Sequence, residues 1–342
     1  MNCPLLEIRL GPTGRGPALP SFTPDHRTLV VPNELSDNVS IVSLTEMRTA
    51  RVVALRRGSR PWQAKVIPTS GRLALVTNSR FAGSADVSDR SPSIVSVIDI
   101  EVGEVVGEIS VGAGPNGITV DQLGKFAYVA NMRSNAVSVI DIASLSVVDT
   151  IPVGLAPAFA KLSRDAAGRI LVVTNLEDAS VSIIDTSERR VLATIEVGVP
   201  GLQDMYPEWG PGDTTGVAIS DEGLAFITNY RSHTLAIVDL SDMSVQRMPT
   251  PVRFPFFVEI ARDEGVVVIS SGIEKAFALL DARTREWVGT FRNDGTDVVP
   301  ERARTLNFWM TDPSNDRLTA LLPLGLDGMR ANWHRNIVTK FM

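Results

Sequence analysis

With 342 residues, 33 basic against 39 acidic side chains and a net charge of −6, the chain is long enough for one large domain. It carries too little positive charge for a nucleic-acid partner. A single cysteine, Cys3, excludes an internal disulfide. No stretch approaches the roughly 18 consecutive apolar residues that a membrane span needs. The opening MNCPLLEIRLG has no basic region and no long apolar core, so a cytoplasmic protein is expected, exported only if a leader has been removed.

In chain order, Cys3–Gly11 reads as a strand with no partner before it. A repeating unit follows. Val30-Val31-Pro32-Asn33 is echoed by Val76-Thr77-Asn78, Tyr128-Val129-Ala130-Asn131, Val172-Val173-Thr174-Asn175 and Phe226-Ile227-Thr228-Asn229, and more loosely by Val268-Ile269-Ser270-Ser271. A second half follows each echo: Val95-Ser96-Val97-Ile98-Asp99, Val137-Ser138-Val139-Ile140-Asp141, Val181-Ser182-Ile183-Ile184-Asp185 and Leu235-Ala236-Ile237-Val238-Asp239. Ala278-Leu279-Leu280-Asp281 is a worn copy. Markers at 33, 78, 131, 175, 229, 271 and 323 are spaced by 45, 53, 44, 54, 42 and 52 residues. Four short β-branched segments per period of this length predict an all-β propeller blade. The segments are apolar almost throughout, as suits sheets covered on both faces.

These motifs resemble the YVTN family of β-propeller repeats, strongest from Leu73 to Asp239. The resemblance implies a seven-bladed β-propeller of four-stranded antiparallel blades. Residues 1–342 then form a single domain. Residues 1–11 supply the fourth strand of blade seven, 12–305 make blades one to six, and 306–342 give the first three strands of the last blade. That arrangement removes the open edge between the chain's ends. The family implies little about function.

Function is expected on one rim. In such a fold the second-to-third and fourth-to-first connections share a face. The long insertions Ser79–Pro92, Val199–Thr214, Arg292–Arg304 and Leu324–Arg335 all belong to those classes, whereas the first-to-second turns stay short. Long loops on a rigid scaffold are where ligands usually bind. Their aromatic and cationic residues suit a polar or anionic organic ligand. The residues expected to line the site are Trp62, Lys65, Asn116, Phe159, Tyr206, Trp209, Arg231, His233, Arg304 and Trp333. Ala64-Lys65-Val66, Ala160-Lys161-Leu162 and Val258-Glu259-Ile260 place charges mid-strand on innermost segments, where burial requires pairing or channel water. Lys161, Glu259 and His334 are therefore the expected catalytic groups, with imidazole the natural acid/base near neutral pH.

Three histidines without H-x-H or H-E-x-x-H spacing point to no metal. No phosphate loop, dinucleotide fingerprint or haem motif is present, so no cofactor is expected. The resulting expectation is a cofactor-independent enzyme of lactonase, cyclase, lyase or isomerase type. Its partner is a small-molecule ligand, with no nucleic acid or membrane, and the protein is a monomer or weak homodimer. A non-catalytic ligand sensor or carrier, or a protein-interaction scaffold, is the alternative.

Overall fold

Each β-branched run becomes a strand and each Asn, Asp or Gly cluster a turn. The computed structural model describes residues 6–9, 14–46, 48–79, 91–163, 168–202, 212–261, 265–271, 274, 276–292, 308–312 and 317–321. A short strand, β1 (Leu6–Arg9), comes first. Sheet 1 holds β2 (Ser21–Phe22), β3 (Thr28–Asn33), β4 (Asn38–Ser43) and β5 (Arg48–Ala54). Sheet 2 holds β6 (Pro61–Val66), β7 (Leu73–Asn78), β8 (Ser93–Asp99) and β9 (Glu104–Val111). Sheet 3 holds β10 (Pro115–Val120), β11 (Phe126–Asn131), β12 (Ala136–Asp141) and β13 (Ser146–Pro152). Sheet 4 holds β14 (Pro157–Leu162), β15 (Ile170–Asn175), β16 (Ser180–Asp185) and β17 (Arg190–Glu196). Sheet 5 holds β18 (Thr214–Ile219), β19 (Leu224–Asn229), β20 (Thr234–Asp239) and β21 (Val245–Pro249). Sheet 6 holds β22 (Pro255–Ala261), β23 (Val266–Ser271), β24 (Ala276–Asp281) and β25 (Trp287–Arg292). Finally β26 (Phe308–Asp312) and β27 (Arg317–Leu321) pair with each other.

All six four-stranded sheets are antiparallel meanders, the organisation of propeller blades. The first strands of consecutive sheets lie beside one another from β2 to β22. Strand β1 pairs antiparallel with β27, Leu6 opposite Ala320 and Arg9 opposite Arg317, and also lies near β5 of sheet 1. It sits directly against the second strand of that last sheet, whereas the sequence places a third strand between them. The residues expected to form that strand, 337–341, lie outside the described residues.

The core consists of apolar slabs between neighbouring sheets. Ala127 and Val129 of β11 pack towards sheet 2, while Tyr128 and Ala130 of the same strand pack towards sheet 4. The same alternation puts Val217 and Ile219 against sheet 4, and Phe226, Leu235 and Ile237 against sheet 6. This two-sided burial is why the strands read as continuous apolar runs.

The repeat motif has a physical basis at each position. The Asn closing the second strand is fully buried in sheets 1 to 5, apart from a trace at Asn78. Its amide donates to a serine on the third strand: Asn33 to Ser40, Asn78 to Ser96 and Asn131 to Ser138, each at 2.9 Å, and Asn175 to Ser182 at 3.0 Å. Sheet 5 has Ala236 where the serine would stand, and Asn229 donates instead to Thr234 Oγ1 and Val197 O. The threonine before the Asn couples one sheet to the next. Thr77 Oγ1 donates to Asn116 O, and Thr228 Oγ1 to Phe256 O, both at 2.8 Å.

In sheets 2 to 6 an Asp ends the third strand and builds the turn to the fourth. Every one of these carboxyls is held below the usual carboxylate range by hydrogen bonds from its own turn. The leading donor is the Val102 amide at Asp99, the Ser144 amide at Asp141 and the Thr284 amide at Asp281. At Asp185 and Asp239 it is the hydroxyl of Ser187 and of Ser241. A carboxyl with a lowered folded-state pKa adds stability at pH values above its unfolded pKa. That stability is lost as the pH falls from about 4 through the lowered value. Thermal melts of the wild type are therefore expected to hold steady from pH 7 to about 5 and to drop steeply below 4. Asp141→Asn should melt slightly lower at pH 7 and show a shallower acid decline. An unchanged acid slope in that variant would remove Asp141 from the explanation.

Five of the outer strands' pairings share a further irregularity. In β5, β9, β13, β17 and likewise β25, one extra residue interrupts the register with the third strand; the skipped positions are Ala50, Val106, Val148, Leu192 and Val288. Strand β21 has no such bulge; it is shorter and ends at Pro249.

Candidate functional site on the inner strands

Register aligns the six first strands residue by residue. Pro61, Pro115, Pro157 and Thr214 each pair with the Asn of their second strand, and Pro255 with Ser271. Pro17 makes the same pairing with Asn33 in sheet 1. Counting on from these anchors, the fifth residues are Ser21, Lys65, Thr119, Lys161, Ala218 and Glu259. Their partners Val30, Leu75, Tyr128, Val172, Phe226 and Val268 confirm the alignment, each lying three residues before the anchor's partner. The third residues are Leu19, Gln63, Gly117, Phe159, Gly216 and Phe257.

Third and fifth residues share one face of a strand. In sheets 2, 4 and 6 these residues are half-buried, while the fourth and sixth are buried against the preceding sheet. The inner strands therefore present two tiers. From sheet 2 to sheet 6 both alternate between large and small side chains: Gln63, Gly117, Phe159, Gly216, Phe257 in one, and Lys65, Thr119, Lys161, Ala218, Glu259 in the other.

The alternation lets non-neighbouring sheets touch. Phe159 of sheet 4 meets Phe257 of sheet 6 edge to face at 5.6 Å, past Gly216 of the intervening sheet. One tier away, Lys161 Nζ donates to both oxygens of Glu259, at 2.5 and 2.8 Å, past Ala218. Two sheets separated by a third can meet only if the wall formed by the inner strands is concave. The small residues are also required by the backbone. A Cβ on Gly117 would lie 2.7 Å from Ala158 O and from Phe159 Cα, and one on Gly216 would lie 2.7 Å from Phe256 O.

The Lys161 side chain is 29% exposed and that of Glu259 is 47%, so the pair is reached by solvent on the concave side. Its Coulomb attraction is screened accordingly and contributes at most about 1 kcal/mol to stability. Among the described residues the charged side chains of this tier are Lys65, Lys161 and Glu259.

Aromatic rings extend from the Phe159–Phe257 contact to the rim. Phe256 lies 4.6 Å from Phe257 and 5.6 Å from Tyr230, Tyr230 5.2 Å from Phe254, and Phe254 4.6 Å from His233. The opposite side of the wall is polar. Gln63 Oε1 accepts from Ile118 N at 2.9 Å, the Trp62 indole nitrogen is buried without a hydrogen-bond partner among the described residues, and Asn116 is buried with its amide against Met132 Sδ at 3.6 Å.

Two expected ligand-binding side chains serve the loops. His233 Nδ1 accepts from Phe254 N at 3.0 Å, which makes the ring a spacer between two connections. Arg231 Nη1 donates to Gly212 O at 2.6 Å and so braces the loop after sheet 4. The anchor there is Asp213, fully buried. Its carboxylate accepts from the amides of Val199, Arg231 and Ser232 at 2.9, 2.8 and 2.8 Å, and from Ser232 Oγ at 2.6 Å. The structure thus brings Phe159, Lys161 and Glu259 together, with Lys65 at the same level, and sets Trp62 and Asn116 towards the long-loop end. Tyr206, Trp209, Arg304, Trp333 and His334 lie outside the described residues. Phe257 and Gln63 were not anticipated, although the two-residue step from Glu259 and Lys65 marks them as same-face neighbours.

Among the connections between described strands, three exceed the rest in length: 79–92, 197–213 and 293–307; the expected insertion Leu324–Arg335 lies outside the described residues. All three leave the end of the strands marked by the anchor prolines. The inner tiers thus form the floor beneath the elaborated rim. Among the described residues no group of three His, Cys, Asp or Glu could hold a metal ion, and no helix is long and apolar enough to cross a membrane.

Residues 40–169 match a family model described as a YNCE-like beta-propeller. No curated protein matches the chain. Among solved structures, a chain of the Kuenenia stuttgartiensis hydrazine synthase is similar with a TM-score of 0.64 at 23% identity, over 78% of this chain and 77% of that one. At that identity the likeness concerns the fold alone.

Proposed function

We propose that the chain closes into a seven-bladed propeller and binds a small anionic organic molecule in its axial channel. Closure is supported by the antiparallel pairing of β1 with β27, from opposite ends of the chain, and by the nearness of β1 to sheet 1. Binding rests on one observation: solvent-reached Lys161, hydrogen-bonded to Glu259 across a small residue, at the same level as Lys65. A cation tier at the bottom of a concave wall, under a rim of long loops, is a receptor for a carboxylate or similar anion.

The same pair gives the site its chemistry. Lys161 can donate a hydrogen bond to an oxygen that gains negative charge, and Glu259 can take a proton from water or from carbon, with no cofactor. This is the equipment of a lactone-hydrolysing, lyase or isomerase reaction, with His334 of the C-terminal segment as a further acid/base. Binding without turnover would identify a sensor or carrier built on the same receptor.

The test is a titration of the full chain, followed by NMR, with propionate and with propionamide. Propionate is expected to bind and the neutral amide not. Lys161→Met, which keeps most of the side chain's apolar length but removes its charge, should weaken propionate by about tenfold or more. Equal binding of acid and amide, or unchanged affinity in Lys161→Met, would refute the anion-binding reading.

A further inference from the structure

The two tiers differ in chemistry but sit on the same strands, and this specifies the ligand more narrowly. Phe159 and Lys161 are two residues apart on β14, and Phe257 and Glu259 two apart on β22, so ring and charge lie about 7 Å apart along each strand. Both phenylalanines are half-buried, although their strand neighbours Ala160 and Val258 are buried, so their rings border the concave space. They touch each other edge to face, and Phe256 stands behind at 4.6 Å from Phe257. An aromatic wall is thus stacked directly on an ion pair, and both are created by the same two small residues, Gly216 and Ala218.

We infer that the ligand is an aryl carboxylate: its ring packs on Phe159 and Phe257, and its carboxylate takes the place of Glu259 on Lys161. The inference rests on the anion-binding reading above and narrows it. Glu259 presents two oxygens to Lys161 Nζ at 2.5 and 2.8 Å, the contact a guest carboxylate would make. It is therefore an internal competitor. It is also the more exposed partner, at 47% against 29%, and so the one better placed to swing out when a guest arrives. An aromatic guest gains edge-to-face contacts that a saturated ring of the same size cannot make. A short linker between ring and acid lets one molecule span both tiers.

Calorimetric titration of the full chain with three probes separates the possibilities: phenylacetate, its saturated analogue cyclohexylacetate, and the neutral phenylacetamide. Phenylacetate is expected to bind roughly three- to tenfold more tightly than cyclohexylacetate. Phenylacetamide should show no binding. In Phe159→Leu the ratio between the two acids should fall towards one; Phe257→Leu repeats the test if the first variant melts early. Glu259→Gln keeps the shape but removes the competing charge, and should tighten phenylacetate by about tenfold. Equal affinity for the two acids would overturn the aromatic assignment and leave the anion receptor standing. Weaker or unchanged binding in Glu259→Gln would overturn the displacement. If neither acid binds, the aryl inference and the anion reading fall together.

Discussion

Gly117→Val is expected to leave the protein unfolded or barely folded at room temperature. A side chain at this position points into the first strand of the next sheet. The first added carbon alone would lie 2.7 Å from Ala158 O and from Phe159 Cα, and valine adds two methyl groups beyond it. The obstacle is backbone, fixed on either side by the ladder pairs Pro157–Asn175 and Ala160–Val173, so it cannot rotate away as a side chain could. Sheets 3 and 4 would have to separate, opening the slab in which Tyr128, Val137 and Val139 pack against Ala160, Leu171 and Val173. Overpacked cores commonly lose about 1–3 kcal/mol, and a clash with fixed main chain should exceed that. A control isolates packing from backbone freedom. Gly223 has φ +82° and open space around its missing side chain, so Gly223→Ala should cost only about 1 kcal/mol of conformational strain. Urea denaturation measures both. A valine variant within about 1 kcal/mol of wild type would show that the inner strands are not packed as described.

Asp213→Ala should be nearly as damaging, by a different route. The carboxylate is fully buried and satisfies three backbone amides and one hydroxyl. Removing it strands those donors at the junction of two connections. Each unsatisfied buried donor costs about 1–3 kcal/mol, although relaxation and water entry reduce the sum to roughly 3–5 kcal/mol. Asp213→Asn should recover part of this. One oxygen can still serve Arg231 and Ser232, but the amide NH2 would face the Val199 N–H. Hydrogen exchange gives the local reading: the amides of Val199, Arg231 and Ser232 should lose protection first, before the sheet 2 and sheet 3 ladders. Uniform protection across the chain in Asp213→Ala would mean that the loops are held by something else.

The repeating architecture was legible because its cause is local. Asn131 and Ser138 are seven residues apart, and the buried hydrogen bond between them recurs with both residue types in sheets 1 to 4. The same holds for the Asp turns. The inner site was legible only in part. Lys65, Lys161 and Glu259 stood out as charges inside apolar strands, but Lys161 and Glu259 are 98 residues apart and meet across an intervening sheet. Their contact depends on curvature, which no local pattern encodes. The large–small alternation through Gly117, Phe159, Gly216 and Phe257 was present in the sequence and becomes informative only once register aligns the strands. His233 and Arg231 carried the right chemistry for a ligand, yet their polar atoms serve Phe254 N and Gly212 O. Composition reports what a residue can bind, not which neighbour reaches it first.

The skipped residues along the periphery bear on how the molecule behaves in a crowd. A regular outer strand offers an unbroken row of donors and acceptors on which a stranger's backbone could crystallise, rung by rung. At Ala50, Val106, Val148, Leu192 and Val288 that row is broken, and at β21 it is cut short by Pro249. A protein whose described residues hold 27 strands thus carries, on the outer strand of each four-stranded sheet, a feature that works against edge-to-edge pairing.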